Sequence, residues 1–202
     1  MLVLSGLRLV GVAEPAVLAG RTNVARAELD DVLARAAAAG WARHRDGRLA
    51  GWSLTVAGRA EAGRLLAAEL DGTGLRPAVA GAYGRFLAVN DDLLATCTDW
   101  QVRDQATSRL NDHTDAVYDR GVVERLRAID AIAQPICADL AAMLHRFEGY
   151  GARLAGALGR VAAGGTDWFT RPGIDSYHTV WFELHEDLLA TLGIERAKEA
   201  TA

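Results

Sequence analysis

The chain has 202 residues, half of them hydrophobic, with 22 basic and 26 acidic side chains and a net charge of −4. That length holds one large domain or two small ones, and the mild negative charge excludes a general polyanion binder. Ala and Leu dominate and aromatic residues make up 6% of the chain, a composition that favours helix over sheet.

The charge is uneven. Residues 1–75 hold nine Arg and eight acidic groups, whereas residues 76–202 hold thirteen basic and eighteen acidic ones. A nucleic-acid contact is therefore expected only from a local patch in the first part. Cys97 and Cys137 lie far apart in apolar helical patterns, without metal-ligand spacing, and read as buried free thiols. The apolar opening, residues 1–20, lacks a basic leader and is interrupted by Arg8, Glu14 and Pro15, so it does not read as a signal peptide. No run reaches the length of a membrane span. The expectation is a cytoplasmic protein with no membrane partner.

In chain order, Leu2, Val3, Leu7 and Val10 predict a short helix ended by Gly11. Pro15 opens a second at a first-turn position, where its missing N–H costs nothing. Thr22-Asn23 makes a turn, and Leu29, Val32, Leu33 and Ala36 give a third helix over about 25–39, closed by Gly40. Asp46-Gly47 between two extended segments is a hairpin signal. Thr55 then caps a helix from about Val56 to Leu70.

This order reads as a winged helix-turn-helix domain over 1–72, and Gly51 to Arg59 resembles the end of the wing in MarR-type regulators. Such a domain lays its third helix in the major groove and its wing on phosphates. Arg26, Arg43, His44, Arg45 and Arg48 are the expected contacts with duplex DNA. The third helix itself carries Glu28, Asp30 and Asp31 against Arg26 in its first turns, which opposes a phosphate contact.

Asp71 to Pro77, with two Gly and a Pro, reads as a linker to a second domain over 76–196. Long amphipathic segments predict an antiparallel four-helix bundle there. The first helix covers about 78–103 and places Asn90 on its inner stripe with Trp100 or Gln101. The second begins near Asn111 or Asp112, with Asp115 within its apolar face and His113 and Asp119 flanking it. Gln134-Pro135 interrupts it, a third helix runs to Gly164-Gly165, and the last is capped by Asp175 or Ser176 and stopped by Gly193. In that last helix Tyr177, Trp181, Leu184 and Leu188 form the core stripe, His178 and His185 share one side of the apolar arc, and Glu183 and Asp187 face solvent.

Polar groups on apolar arcs need partners. They predict either a satisfied network or a small-molecule pocket lined by Asn90, Trp100, Gln101, Asn111, Asp112, His113, Asp115, Tyr118, Tyr177, His178, Trp181 and His185. A metal is not expected, because the seven-residue spacing of His178 and His185 is too long for one ion. The sequence names no cofactor.

The whole chain resembles a group of actinobacterial winged-helix proteins, and a segment appended to pyruvate phosphate dikinase-like proteins. The likeness rests on Thr98 to Gln101, Asn111 to Asp115, Tyr118-Asp119 and Asp175 to Asp187. It implies a stand-alone regulator or a metabolite-sensing module, and transfers no catalytic role.

The leading expectation is a ligand-responsive winged-helix transcriptional regulator, acting as a homodimer and sensing a small polar metabolite in its helical domain. The alternatives are an enzyme, with His178 or His185 as acid–base group and Asp115 as orienter, or an interaction module for a phosphoenolpyruvate- or pyruvate-handling partner.

Overall fold

The computed structural model describes residues 2–22, 24–47 and 50–194. The chain is mostly helical, with small antiparallel sheets. It divides into two compact units: residues up to 76 together with those from 186 onward, and residues 77–185. The last helix thus contributes to both, whereas its sequence pattern assigned all of it to 76–196.

The first unit begins with α1 (Leu2–Val10), β1 (Val12–Ala13), α2 (Pro15–Thr22) and α3 (Arg26–Ala38). Next come β2 (Ala42–Arg45), β3 (Gly51–Leu54) and α4 (Val56–Thr73). The hairpin expected at Asp46-Gly47 forms, with Arg43 opposite Ser53 and His44 opposite Trp52. The sequence pattern did not foresee β1, a two-residue strand that pairs with β3 and gives the strand order β1-β3-β2. Leu4, Leu7, Leu18, Leu29, Leu33 and Leu54 build one buried core, and each such side chain contributes about 1.5–3 kcal/mol by leaving water.

Thr55 joins the hairpin to α4. Its Oγ1 accepts from Gly58 N at 3.0 Å and donates to the Gly40 carbonyl at 2.7 Å. The Thr55 amide donates to the Trp41 carbonyl at 2.9 Å. Gly40 turns with φ +73°, a left-handed conformation that glycine adopts without a Cβ penalty.

The expected linker is shorter than its composition suggests. Helix α4 runs to Thr73, Gly74 is the left-handed cap, and α5 (Arg76–Gln101) begins with Pro77 in its first turn. The chain continues with β4 (Val102–Asp104), β5 (Arg109–Leu110), α6 (Ala116–Met143), a 3-10 turn (His145–Phe147), α7 (Tyr150–Ala162), α8 (Asp167–Thr170) and α9 (Tyr177–Leu192), whose residues from 186 onward belong to the first unit.

Three expectations are corrected here. Pro135 does not interrupt α6, which runs through it for 28 residues. Pro135 and Ala131, the residue whose carbonyl loses its helical partner, are both exposed, so water can take that acceptor. The break falls instead at Leu144, which is extended (φ −140°, ψ 112°), so the expected third helix is split. Finally, α5 stops at Gln101 and the chain turns through the β4–β5 hairpin.

Within the second unit the long helices are cross-linked by side chains. Arg85 bonds Asp139 at 2.6 Å, and Arg125 bonds Asp99 at 2.8 Å, joining α5 to α6 in opposite directions. Gln134 Nε2 donates to the Gly151 carbonyl at 3.2 Å, joining α6 to α7. Phe86 stacks on Trp181 at 4.3 Å, joining α5 to α9. Cys97 and Cys137 are both buried, and burial pushes each thiol up to about 12, which leaves them unreactive as nucleophiles.

Candidate functional site

The site residues separate into two groups along α5. The first lies where α5 hands over to α6. Asp104 starts the intervening turn by accepting from Ala106 N at 3.0 Å and from Thr107 Oγ1 at 2.8 Å. The chain returns along β5, and a second such turn follows, in which Asp112 Oδ1 accepts from Thr114 N and Oγ1. These bonds, the Thr114 hydroxyl first, hold the Asp112 carboxyl below its ordinary pKa. Asp115 is the true cap of α6: Oδ1 accepts from the Val117 and Tyr118 amides and Oδ2 from Arg103 at 2.8 Å. This corrects its expected place on the apolar face. A carboxylate preceding a helix is drawn to the first-turn N–H groups, and neither Asn111 nor Asp112 serves as the cap.

Behind this loop is a polar cluster. Asn111 Nδ2 donates to Asp119 Oδ1 at 2.8 Å and to the Trp100 carbonyl at 3.1 Å. His113 Nδ1 lies 3.0 Å from Asp119 Oδ2. The same Nδ1 lies 3.3 Å from Asn111 Nδ2, so the ring is held between Asp119 and Asn111. The His113 ring lies 4.4 Å from Trp100, which itself stacks on Phe169 at 4.5 Å. His113 has φ +58°, an uncommon conformation for a residue with a side chain. Tyr118 Oη donates to the Asp99 carbonyl at 2.9 Å, and Arg103 lies 3.6 Å over the Tyr118 ring. On the outer side of the loop, Arg103, Arg109, Asn111, Asp112, Thr114 and Asp115 surround a polar recess of ≈ 240 Å³.

The second group lies further back on α5. His185 is buried, with its ring 5.1 Å from Phe86 and 6.1 Å from Tyr83. Trp181 Nε1 donates to Asn90 Oδ1 at 3.1 Å, so Asn90 ties α5 to α9. Tyr177 Oη donates at 3.1 Å to Asp130, a buried carboxylate that Gln134 Nε2 also reaches at 2.9 Å. Burial, followed by the Asp130 charge, drives the Tyr177 hydroxyl far above its ordinary pKa. Glu183, expected in solvent, is instead buried and receives Arg153 Nη2 at 2.6 Å. Asp187 is buried as well. Glu183 turns inward onto Arg153.

His185 does not meet Asp115: its ring packs on Phe86, whereas Asp115 caps α6 and bonds Arg103. His185 packs on Phe86 and His113 on Trp100 of the same helix, and that fourteen-residue separation is about 21 Å of rise. The residues brought together are Trp100, Asn111, His113, Asp115 and Tyr118, whereas Asn90, Tyr177, Trp181 and His185 belong to the packing between helices. Gln101 is exposed at the end of α5 and contributes its carbonyl, which accepts from the Asn111 amide at 2.9 Å.

No protein-family model matches this chain, and no curated protein or solved structure shows significant similarity to it. The chemistry of the site has to be read from its own residues.

Those residues include two that the sequence pattern left out, Arg103 on β4 and Arg109 on β5, while Asp119, read there as flanking the apolar face, proves to be the partner of His113. The turn-forming Asp104-Gln-Ala-Thr107 between Val102 and Leu110 was the available signal for the hairpin. Among the described residues, no group of three or more His, Cys, Asp and Glu is arranged to hold a metal ion.

His178 is half-buried, and desolvation lowers its pKa. Between that depressed value and the ordinary imidazole pKa, the unfolded chain binds more protons than the folded one, so stability rises with pH in that window. Urea midpoints are expected to fall between about pH 7.5 and about pH 5.5, and His178→Gln should flatten that part of the profile.

In the amino-terminal unit, Arg43, His44 and Arg45 are exposed on β2. His44 lies 3.3 Å from Asp46 and edge-on to Trp52 at 5.4 Å, so it supports the hairpin. Arg48 lies outside the described residues. Arg26 is tied to Asp30 by Nε contacts of 3.0 and 3.1 Å, while Glu28 and Asp31 stand exposed on the same helix.

Proposed function

We propose that this chain is a ligand-responsive winged-helix transcriptional regulator with an antiparallel four-helix bundle as its effector-binding part. The observation that carries the reading is a helix pair, α2–α3, followed by a basic β2–β3 hairpin in a sheet of order β1-β3-β2. That order supports reading the unit as a winged helix, whose wing would lie on phosphates. The likeness of the Gly51–Arg59 segment to MarR-type wings belongs to the same reading, as do a homodimer and a cytoplasmic location.

The contact is led by the wing. Arg43 and Arg45 are exposed cations, and Arg48 adds a third by sequence. The single cation of the first turn of α3 is neutralised by Asp30, and Glu28 and Asp31 repel phosphate. With about three neutralised phosphates per copy, the slope of log K against log salt is expected near −2.7. Fluorescence anisotropy with a random duplex at low salt tests this. Changing Arg43 and Arg45 together to Ala should weaken binding about tenfold or more, and Asp31→Asn should strengthen it. Absence of duplex binding at low salt would remove the regulatory reading.

The acidic, alanine-rich exposed face of α3 favours a second reading, an interaction domain that retains the shape of a winged helix. It predicts no duplex binding and no effect of the wing substitutions. The enzyme alternative has less to support it, since His185 packs on Phe86 and Asp115 is engaged as the cap of α6.

A further inference from the structure

We propose that the recess between β5 and the start of α6 binds a free α-amino acid, with its carboxylate on Arg109 and Arg103 and its ammonium on Asp112. The proposal rests on the effector-binding role given to the second unit and names the chemistry of the effector.

Several polar groups around the recess are already committed. Both oxygens of Asp115 are used, one by two backbone amides and the other by Arg103. The Asn111 amide is used by Asp119, the Trp100 carbonyl and the His113 amide. Arg103 gives one hydrogen bond among the described residues, to Asp115, and its guanidinium is held in place by the Tyr118 ring beneath it. Its remaining N–H groups are available on a fixed support.

Arg109 differs. It stands opposite Asp104 in the β4–β5 register, and its charge acts on Asp104 and Asp112. Yet its guanidinium makes no hydrogen bond among the described residues. Asp112 uses Oδ1 for Thr114 and leaves Oδ2 uncommitted.

The charges of Arg103 and Asp115 offset each other. Asp104 stands opposite Arg109 but does not line the recess, whose wall is left with one further cation, Arg109, and one anion, Asp112, not bonded to each other. A simple anion meets Arg109 but is opposed by Asp112, and a simple cation meets the reverse. A molecule with a carboxylate and an ammonium one carbon apart satisfies both, with charge-assisted hydrogen bonds at each end. The cavity of ≈ 240 Å³ equals about eight liquid waters. That suits an amino acid and lies below the span of drug-sized pockets. Leu110, 71% exposed at the rim, offers apolar contact to an amino-acid side chain.

The test is a nitrogen-15 NMR titration of the full chain with each protein amino acid in turn, at about 5 mM because exposed ion pairs are weak. At least one amino acid should shift the amides of Arg103 and of residues 109–115. Its methyl ester, which lacks the carboxylate, and its N-acetyl derivative, which lacks the ammonium, should each bind about tenfold more weakly or worse. Arg109→Gln and Asp112→Asn, which keeps the Oδ1 acceptor for Thr114, should do the same without changing the thermal melt. The proposal is overturned if no amino acid shifts these amides, if ester and N-acetyl forms bind as well as the parent, or if inorganic phosphate binds equally well. Duplex binding measured on the same samples separates the two readings. Its survival without amino-acid shifts sinks only the recess, and amino-acid shifts without duplex binding sink only the regulator.

Discussion

Gly58→Ala is expected to destabilise the amino-terminal unit by roughly 3 kcal/mol or more, at the upper end of overpacking effects. A Cβ at this position would lie 1.8 Å from the Trp41 carbonyl oxygen and 2.7 Å from its carbon. Those are backbone atoms, so no side chain can swing aside. The same carbonyl accepts the Thr55 amide, and Thr55 caps α4 through Gly58 N. Relieving the clash therefore breaks the joint between hairpin and helix. The control lies on the same helix. A Cβ at Gly63 meets nothing within 4 Å, so Gly63→Ala should stabilise by about 0.5–1 kcal/mol through helix propensity. Urea denaturation gives the sign of each change. Hydrogen exchange should show Gly58→Ala removing protection from α1 to α4 while the middle of α6 stays protected.

Trp181→Ala should cost ~3–5 kcal/mol. The side chain is 2% exposed, stacked on Phe86, 6.3 Å from Tyr177 and bonded to Asn90. Its removal opens a cavity between α5 and α9 and strips Asn90 of its donor. Trp181→Phe keeps an aromatic ring against Phe86 and loses the indole N–H, for a cost of about 1 kcal/mol from the hydrogen bond. A double-mutant cycle of Trp181→Phe with Asn90→Ala isolates that bond, and a coupling of zero would show that the Trp181–Asn90 contact adds no stability.

Much of the amino-terminal unit was legible because its signals are local. Gly11 and Gly40 end helices, Asp46-Gly47 turns a hairpin and Thr55 caps α4, each within a few residues of its effect. The two-residue β1 was not legible. It exists only because β3 offers it a partner edge. In the second unit the pattern at Pro135 misled. Whether a proline breaks a helix depends on whether the freed carbonyl meets solvent, and that is fixed by which face points outward. The same holds for Glu183, which looks solvated on a helical wheel and is in fact buried against Arg153.

The candidate site shows the division most sharply. Sequence alone marked Asn111, Asp112, His113, Asp115 and Tyr118 as unusual, since ionisable groups beside apolar ones demand partners. It also marked His178 and His185 for the same reason, and could not separate the two sets. Helical periodicity reports angle around an axis but not level along a neighbouring helix. Only the packed structure decided that His113 meets Trp100 while His185 meets Phe86, and that Asp115 serves as a cap. Composition, periodicity and the Asp46-Gly47 turn signal determined that this chain would be mostly helical with a β2–β3 hairpin, while the β4–β5 hairpin went unread. The choice of partners for its buried polar groups was left to packing, because a hydrogen bond depends on distances that only the assembled helices define.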